Sequence, residues 1–199
     1  MAARGAWLIF ADESGQSLRP PKARTWARRG HTPVVGVSAK GSGRISVAAL
    51  LCLKPGREPR LLYRLLGYHG RARERKGFDV RDFQALLMGA HHLLDAPIVV
   101  VWDNLGRHTC ARMRAFVGRH DWLMVYQLPS YAPELNPTEG VWANLKGMLG
   151  NLAPHSVDEL AAAIRSHLKD AVPADAIERL HRRDRPDPRS AVTLAIQDQ

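Results

Sequence analysis

The hydrophobic pattern of this chain predicts an α/β fold: one mixed five-stranded sheet with helices on both faces. Three observations carry that prediction. Apolar runs of strand length come first, separated by loops. From residue 79 onward, segments of helical period alternate with strand-length runs, the order that layers helices on a sheet. The run Ile98-Val-Val-Val-Trp102 is apolar at every position, as a strand covered on both faces must be.

Taken in order, Leu8 to Glu13 reads as a buried strand and residues 17–31 as a basic, irregular loop. Thr32 to Ser38 and Arg44 to Leu53 read as strands joined by the flexible turn Lys40-Gly-Ser-Gly43. Glu58 to Leu66 fits either a further strand or an irregular stretch, and Arg71 to Gly77 reads as a charged linker. A helix then opens at Asp79. That residue can cap it, Asp82 supplies an acid at the third position, and Phe78 with Phe83 suits a hydrophobic staple. Phe83, Leu86, Leu87, Ala90 and Leu94 share its apolar face. Strand Ile98 to Asp103, helix Thr109 to Arg119 and strand Trp122 to Gln127 follow. Asn136 opens a helix reaching about Leu149, and Ser156-Val-Asp-Glu159 is a capping-box start for another through Lys169. Pro173 to His181 allows a further turn or two. Residues 1–181 thus form one domain, and 182–199 a polar, charged tail.

With 199 residues, 45% hydrophobic and 24% charged, the chain has the composition of a single globular domain. It contains no 18-residue apolar run, and its first apolar stretch ends at Asp12, too early for a signal peptide. Two cysteines give neither a disulfide framework nor metal-ligand spacing. The expected location is cytoplasmic, associated with the nucleoid, with no membrane partner. Net charge is +10, and it is uneven. Residues 19–30 hold five basic side chains and no acid; residues 54–76 hold eight against two acids. Such surfaces attract phosphate, although a solvated basic face has the same composition.

Three acids stand out. Asp12 ends the apolar run Trp7-Leu-Ile-Phe-Ala, and Asp103 ends Ile98 to Trp102. Strand alternation places Asp12 on the side of Leu8 and Phe10, with Glu13 opposite. Glu139 falls on the first turn of the helix opened by Asn136 and Pro137, behind the proline-rich stretch Leu128-Pro-Ser-Tyr-Ala-Pro-Glu-Leu. Carboxylates at two strand ends and a helix start can hold a pair of magnesium ions, and such a pair cuts or joins phosphodiesters. Each acid also has a plain reading: an acid at a strand end opens a turn, and Glu139 completes a capping box with Asn136.

The segments Phe10-Ala-Asp-Glu-Ser-Gly15, Arg24-Thr-Trp-Ala-Arg-Arg-Gly-His-Thr-Pro33, Val101-Trp-Asp-Asn104 with His108, and Leu128 to Lys146 resemble the acid-triad (DDE) transposases of the mariner superfamily, in particular the bacterial insertion sequence 630 group. The resemblance runs from about residue 7 to about residue 150, and the last segment is the most specific. It implies a ribonuclease-H-like (integrase-type) fold and a triad of Asp12, Asp103 and Glu139, with 35 residues between the last two. It further implies two magnesium ions (manganese as substitute), hydrolysis at element ends, 3′-hydroxyl transfer into target DNA at a TA step, and a working homodimer. The expected DNA contacts are Arg24, Trp26, Arg28 and Arg29 in the basic loop, His108 past Asp103, and Lys146 two turns beyond Glu139. His108 is equally placed to orient a ligand. Family members carry a helix-turn-helix region before the first Asp, whereas eleven residues precede it here. That region is expected to be absent, or supplied by a separate product of an upstream reading frame. The rival readings are a non-catalytic DNA-binding remnant of a decayed element and a nuclease of the same fold without strand transfer.

Overall fold

A computed structural model describes residues 5–19, 21, 26–32, 34, 36, 43–130 and 132–169. Five strands form one sheet: β1 (Trp7–Ser17), β2 (Arg44–Leu53), β3 (Arg60–Tyr68), β4 (Ile98–Trp102) and β5 (Leu123–Gln127), in the order β3-β2-β1-β4-β5. β1 pairs antiparallel with β2 and parallel with β4; β2–β3 is antiparallel and β4–β5 parallel. The sheet is therefore mixed, with helices on both faces, an arrangement consistent with a ribonuclease-H-like or integrase-type fold.

The helices are α1 (Val80–Leu94), α2 (Gly106–Thr109), α3 (Ala111–Val117), α4 (Thr138–Met148) and α5 (Val157–Lys169), with a 3₁₀ turn at Pro133–Leu135. α1 begins as its sequence dictates: Asp79 accepts from the amides of Arg81 and Asp82, and Asp82 reaches back to the Asp79 amide. Phe78 and Phe83 meet edge to face, 6.2 Å between centroids. α5 runs to Lys169, with Ser156 Oγ accepting from the Glu159 amide.

Two cores result because β2 is apolar on both faces. One side packs Ile9, Leu50, Val100 and Trp102 against Phe83 and Leu87 of α1 and Met113 and Phe116 of α3. The other packs Ile45, Val47 and Ala49 against Val141, Trp142 and Leu145 of α4 and Leu160 and Ile164 of α5. Gly43, at the entry to β2, is a steric necessity: a Cβ there would lie 2.7 Å from Val157 Cγ2 and 2.9 Å from Leu18 Cδ1.

Several expectations need correction. The third strand is Arg60–Tyr68; Thr32, Val34 and Gly36 belong to no strand, and the rest of 32–38 lies outside the described residues. β1 continues to Ser17 because its polar end pairs with Arg44 to Val47, a backbone feature that apolar patterning does not register. The helix expected from Thr109 to Arg119 is two helices broken at Cys110, whose backbone is extended. The turns expected at 173–181 and the tail at 182–199 lie outside the described residues. Among the described residues no helix is long and apolar enough to cross a membrane.

Candidate active site

The parallel register of β1 and β4 sets Phe10 opposite Val101; continued two residues, it brings Asp12 level with Asp103 on neighbouring strands. Neighbouring strands lie about 4.8 Å apart. The start of α4 is fastened beside them, where buried Thr138 donates from Oγ1 to the Phe10 carbonyl at 3.3 Å. A cleft of about 520 Å³ opens there, lined by Asp12, Asp103, Asn104, Pro129, Asn136 and Glu139 among others. Its far wall is the loop after β5, held to β4 by Leu128 N–H to Trp102 O (2.8 Å) and Asn104 Nδ2 to Leu128 O (2.9 Å). The three acids singled out in the sequence thus face one cavity.

Each acid is held differently. Asp12 accepts the Glu13 amide on Oδ1 at 2.8 Å and the Trp142 indole N–H on Oδ2 at 3.0 Å. Asp103 Oδ1 lies 2.7 Å from His108 Nδ1 and also accepts the Leu105 amide at 3.2 Å. Glu139 is exposed, and it does not cap α4: the amide that a capping box would need, Asn136 N–H, donates to Pro133 O at 2.9 Å. The residue at the N-cap of α4 is Pro137, and Asn136, just before it, accepts the Thr138 amide on Oδ1 at 3.2 Å.

Glu13 points to the opposite face, as strand alternation requires. It pairs with Arg107 of α2 at 3.1 Å, and Arg107 also donates to Phe78 O at 2.9 Å. The Arg107 pair fastens the segment after Asp103 to the reverse side of the sheet, and burial holds the Glu13 carboxyl above its usual range.

Burial, and then the charges of Glu139 and Asp103, push the Asp12 carboxyl up to about 6 against the opposing pull of the Glu13 and Trp142 hydrogen bonds. The folded value stands above the unfolded one, so the folded protein holds this proton more tightly. The stabilisation is present below pH 4 and is lost as pH rises to about 6. After allowance for partial exposure this is on the order of 2 kcal/mol. Denaturant unfolding of the metal-free protein at pH 4.5 and 7.5 should show that loss in the wild type and a weaker one in Asp12→Asn. Equal slopes would show that Asp12 does not carry it.

Of the expected DNA contacts, Arg24 lies outside the described residues. Trp26 is fully exposed, Arg28 and Arg29 are exposed, and Lys146 is exposed on α4. His108 is not at the surface. The residue is 3% exposed, its ring stacked on Trp102 at 4.3 Å and edge-on to Phe83 at 4.8 Å. Burial holds its pKa below the usual histidine value. The enclosed ring meets Asp103, with Nδ1 2.7 Å from Oδ1. Trp142 was not singled out in the sequence as a site residue, although a buried indole N–H needs an acceptor and here finds it in Asp12. Nothing in the sequence marked Thr138.

Residues 7–161 match the family described as DDE superfamily endonuclease. The chain belongs to that family. The fold of this DDE-family domain is similar to solved structures of Mos1 transposase: the paired-end complex with left transposon end (TM-score 0.64, 14% identity, 88% of this chain and 52% of that one) and the Mos1 mariner paired-end complex with Mn (0.64, 15%, 88% and 53%). The catalytic domain of Mos1 mariner transposase alone is matched at a TM-score of 0.58 and 15% identity, over 88% of this chain and 78% of that one. This DDE-family domain spans about half the length of the chains in the paired-end complexes. The sequence has no significant match among curated proteins.

Proposed function

We propose that this DDE-family domain is the catalytic part of a DNA transposase, cleaving phosphodiesters at element ends and joining the freed 3′-hydroxyl to target DNA, with Asp12, Asp103 and Glu139 as its working carboxylates. The observation that carries the reading is their convergence on one cleft from β1, the end of β4 and the start of α4. Membership of the family and the likeness of fold to Mos1 transposase support it.

The donor chemistry fits a hard divalent cation. Among the described residues, Asp12 keeps an open lone pair on each oxygen, Asp103 Oδ2 receives no hydrogen bond, and Glu139 is exposed. Mutual repulsion already helps to raise Asp12, which a cation would relieve. Among the described residues no group of three or more His, Cys, Asp or Glu side chains is gathered closely enough to hold a metal as it stands. Magnesium keeps several waters and needs only a few carboxylates, so an open site of this kind suits it. Mos1 has been solved with Mn and with Mg. Two ions held by Asp12, Asp103 and Glu139 would supply charge relief at phosphorus and an activated oxygen nucleophile. The chain's own part is to hold the carboxylates, to wall the cleft with Pro129, Pro133 and Leu128, and to gather DNA through exposed cations. Arg28 and Arg29 serve the last task, with Arg24 from the same loop and Lys146 from α4, and Trp26 offers an exposed ring for base stacking.

The test is a labelled duplex carrying the element's own ends, incubated with purified protein and Mg²⁺. Cleavage leaving a 3′-hydroxyl, followed by joining to a second duplex, is expected. Cleavage without joining would identify a nuclease, and binding without cleavage a remnant. Binding should weaken steeply with salt, by a log–log slope of about −0.9 per phosphate neutralised, and Arg28→Glu with Arg29→Glu should flatten that slope on every sequence alike.

A further inference from the structure

We propose that His108 and Trp142 are positioning residues of this site: two fixed N–H donors, one from each side of the sheet, that turn Asp103 and Asp12 so that defined oxygens face the cleft. This rests on the carboxylate reading above and adds to it the groups that set the geometry of two of its acids.

The sides are distinct. His108 belongs to the core of α1 and α3, wedged between Trp102 and Phe83. Trp142 belongs to the core of α4 and α5 and is 2% exposed. Neither ring touches the cleft, yet each sends a nitrogen to an acid that lines it, at 2.7 Å and 3.0 Å. A carboxylate oxygen accepts and does not donate, so the His108 ring carries its proton on Nδ1. His108 Nε2 is then left bare, and it is buried among described groups that give it no hydrogen bond. An unpartnered buried nitrogen is costly, and leucine or phenylalanine would fill the space without that cost. What histidine supplies there and an apolar residue cannot is the Nδ1 donor. Trp142 makes the same case: its ring fills the core, but the indole N–H is its sole donor, and it goes to Asp12.

The consequence is an asymmetry in the acids. Asp103 Oδ1 receives both His108 and Leu105, which fills its two lone pairs, so Asp103 presents Oδ2 alone. Asp12 receives one donor on each oxygen. Donors behind ligating carboxylates commonly change metal affinity or activity by about 10–100-fold.

The test separates donation from packing. His108→Phe keeps an aromatic ring on Trp102 and removes the donor; His108→Asn loses the stack but can place an amide N–H where Nδ1 stood. Trp142→Phe removes only the indole donor and part of the ring. Mn²⁺ affinity of each protein is measured by calorimetry without DNA, beside thermal unfolding and cleavage rate. Mn²⁺ binding is expected to weaken about tenfold or more in His108→Phe and Trp142→Phe, and to stay within about threefold of wild type in His108→Asn. DNA affinity in chelator should not change. If His108→Phe binds Mn²⁺ like wild type while His108→Asn does not, His108 is a packing residue and the proposal fails. If all variants match wild type, it fails for both residues while the carboxylate reading stands. Should the wild type bind no Mn²⁺, or should Asp103→Asn bind it equally well, the carboxylate reading itself falls and takes this inference with it.

Discussion

Replacing Asp103 with Asn, or Glu139 with Gln, should lower strand cleavage by about two to three orders of magnitude or more, with fold and DNA binding intact. The size is that of removing one preorganised charged group from a site that acts by electrostatics. The expected stability follows from what each side chain touches. Glu139 is exposed, and the amide it would cap already donates to Pro133 O, so Gln should shift stability by less than about 0.5 kcal/mol. Even Glu139→Ala should stay near that value, whereas loss of a working cap costs about 1 kcal/mol. Asparagine at 103 keeps an oxygen for His108 Nδ1 and the Leu105 amide and so keeps the loop in place. Cleavage of a labelled end duplex, thermal unfolding and a binding isotherm check this together. Unchanged cleavage in Glu139→Gln, or an unfolded protein, would remove Glu139 from the site.

Much of this was legible in the sequence, for identifiable reasons. Asp12 and Asp103 end apolar runs, and an acid leaving a sheet interior is conspicuous wherever it goes. The separation of Asp12 from Glu13 followed from the two-residue period of a strand, and the structure sets Glu13 on Arg107 across the sheet. The helix starts at Asp79 and Ser156 were readable because capping uses local side chains. What was not legible depends on distant contacts. β1 runs through polar Ser14 to Ser17 because β2 lies beside it, and pairing of that kind leaves no periodic trace. The break at Cys110 has no Gly or Pro to announce it. His108 looked like a loop residue available to DNA, since nothing in Asp103 to His108 shows that the segment folds back and drives the ring under Trp102. Glu139 kept its rival role as a cap until the partner of the Asn136 amide was known.

Removal of divalent cations should abolish cleavage while leaving DNA binding largely in place. The two proposed activities are assigned to different parts of the molecule. Binding is assigned to exposed cations such as Arg28, Arg29 and Lys146, which need no metal. Chemistry is assigned to carboxylates that repel one another: Asp12 is held at about 6 in part by Glu139 and Asp103. A divalent cation held there would relieve that repulsion and so would bind the folded protein in preference to the unfolded one. Its effect is therefore visible without DNA. At ten times the dissociation constant, stabilisation is about 1.4 kcal/mol, enough to move the thermal midpoint by a few degrees. Mg²⁺ and Mn²⁺ should both stabilise the protein and restore cleavage after chelation. Ca²⁺ should stabilise it but support cleavage poorly, because its shell of six to eight oxygens is looser and holds reacting atoms less strictly. Asp103→Asn should lose most of the Mn²⁺ stabilisation together with cleavage, since both are assigned to the same oxygen, Oδ2, while His108 and Leu105 occupy Oδ1. Thermal scans across a Mn²⁺ titration and a cleavage time course in chelator settle it. Robust cleavage with metal removed, or equal Mn²⁺ stabilisation of wild type and Asp103→Asn, would show that these carboxylates are not a metal site.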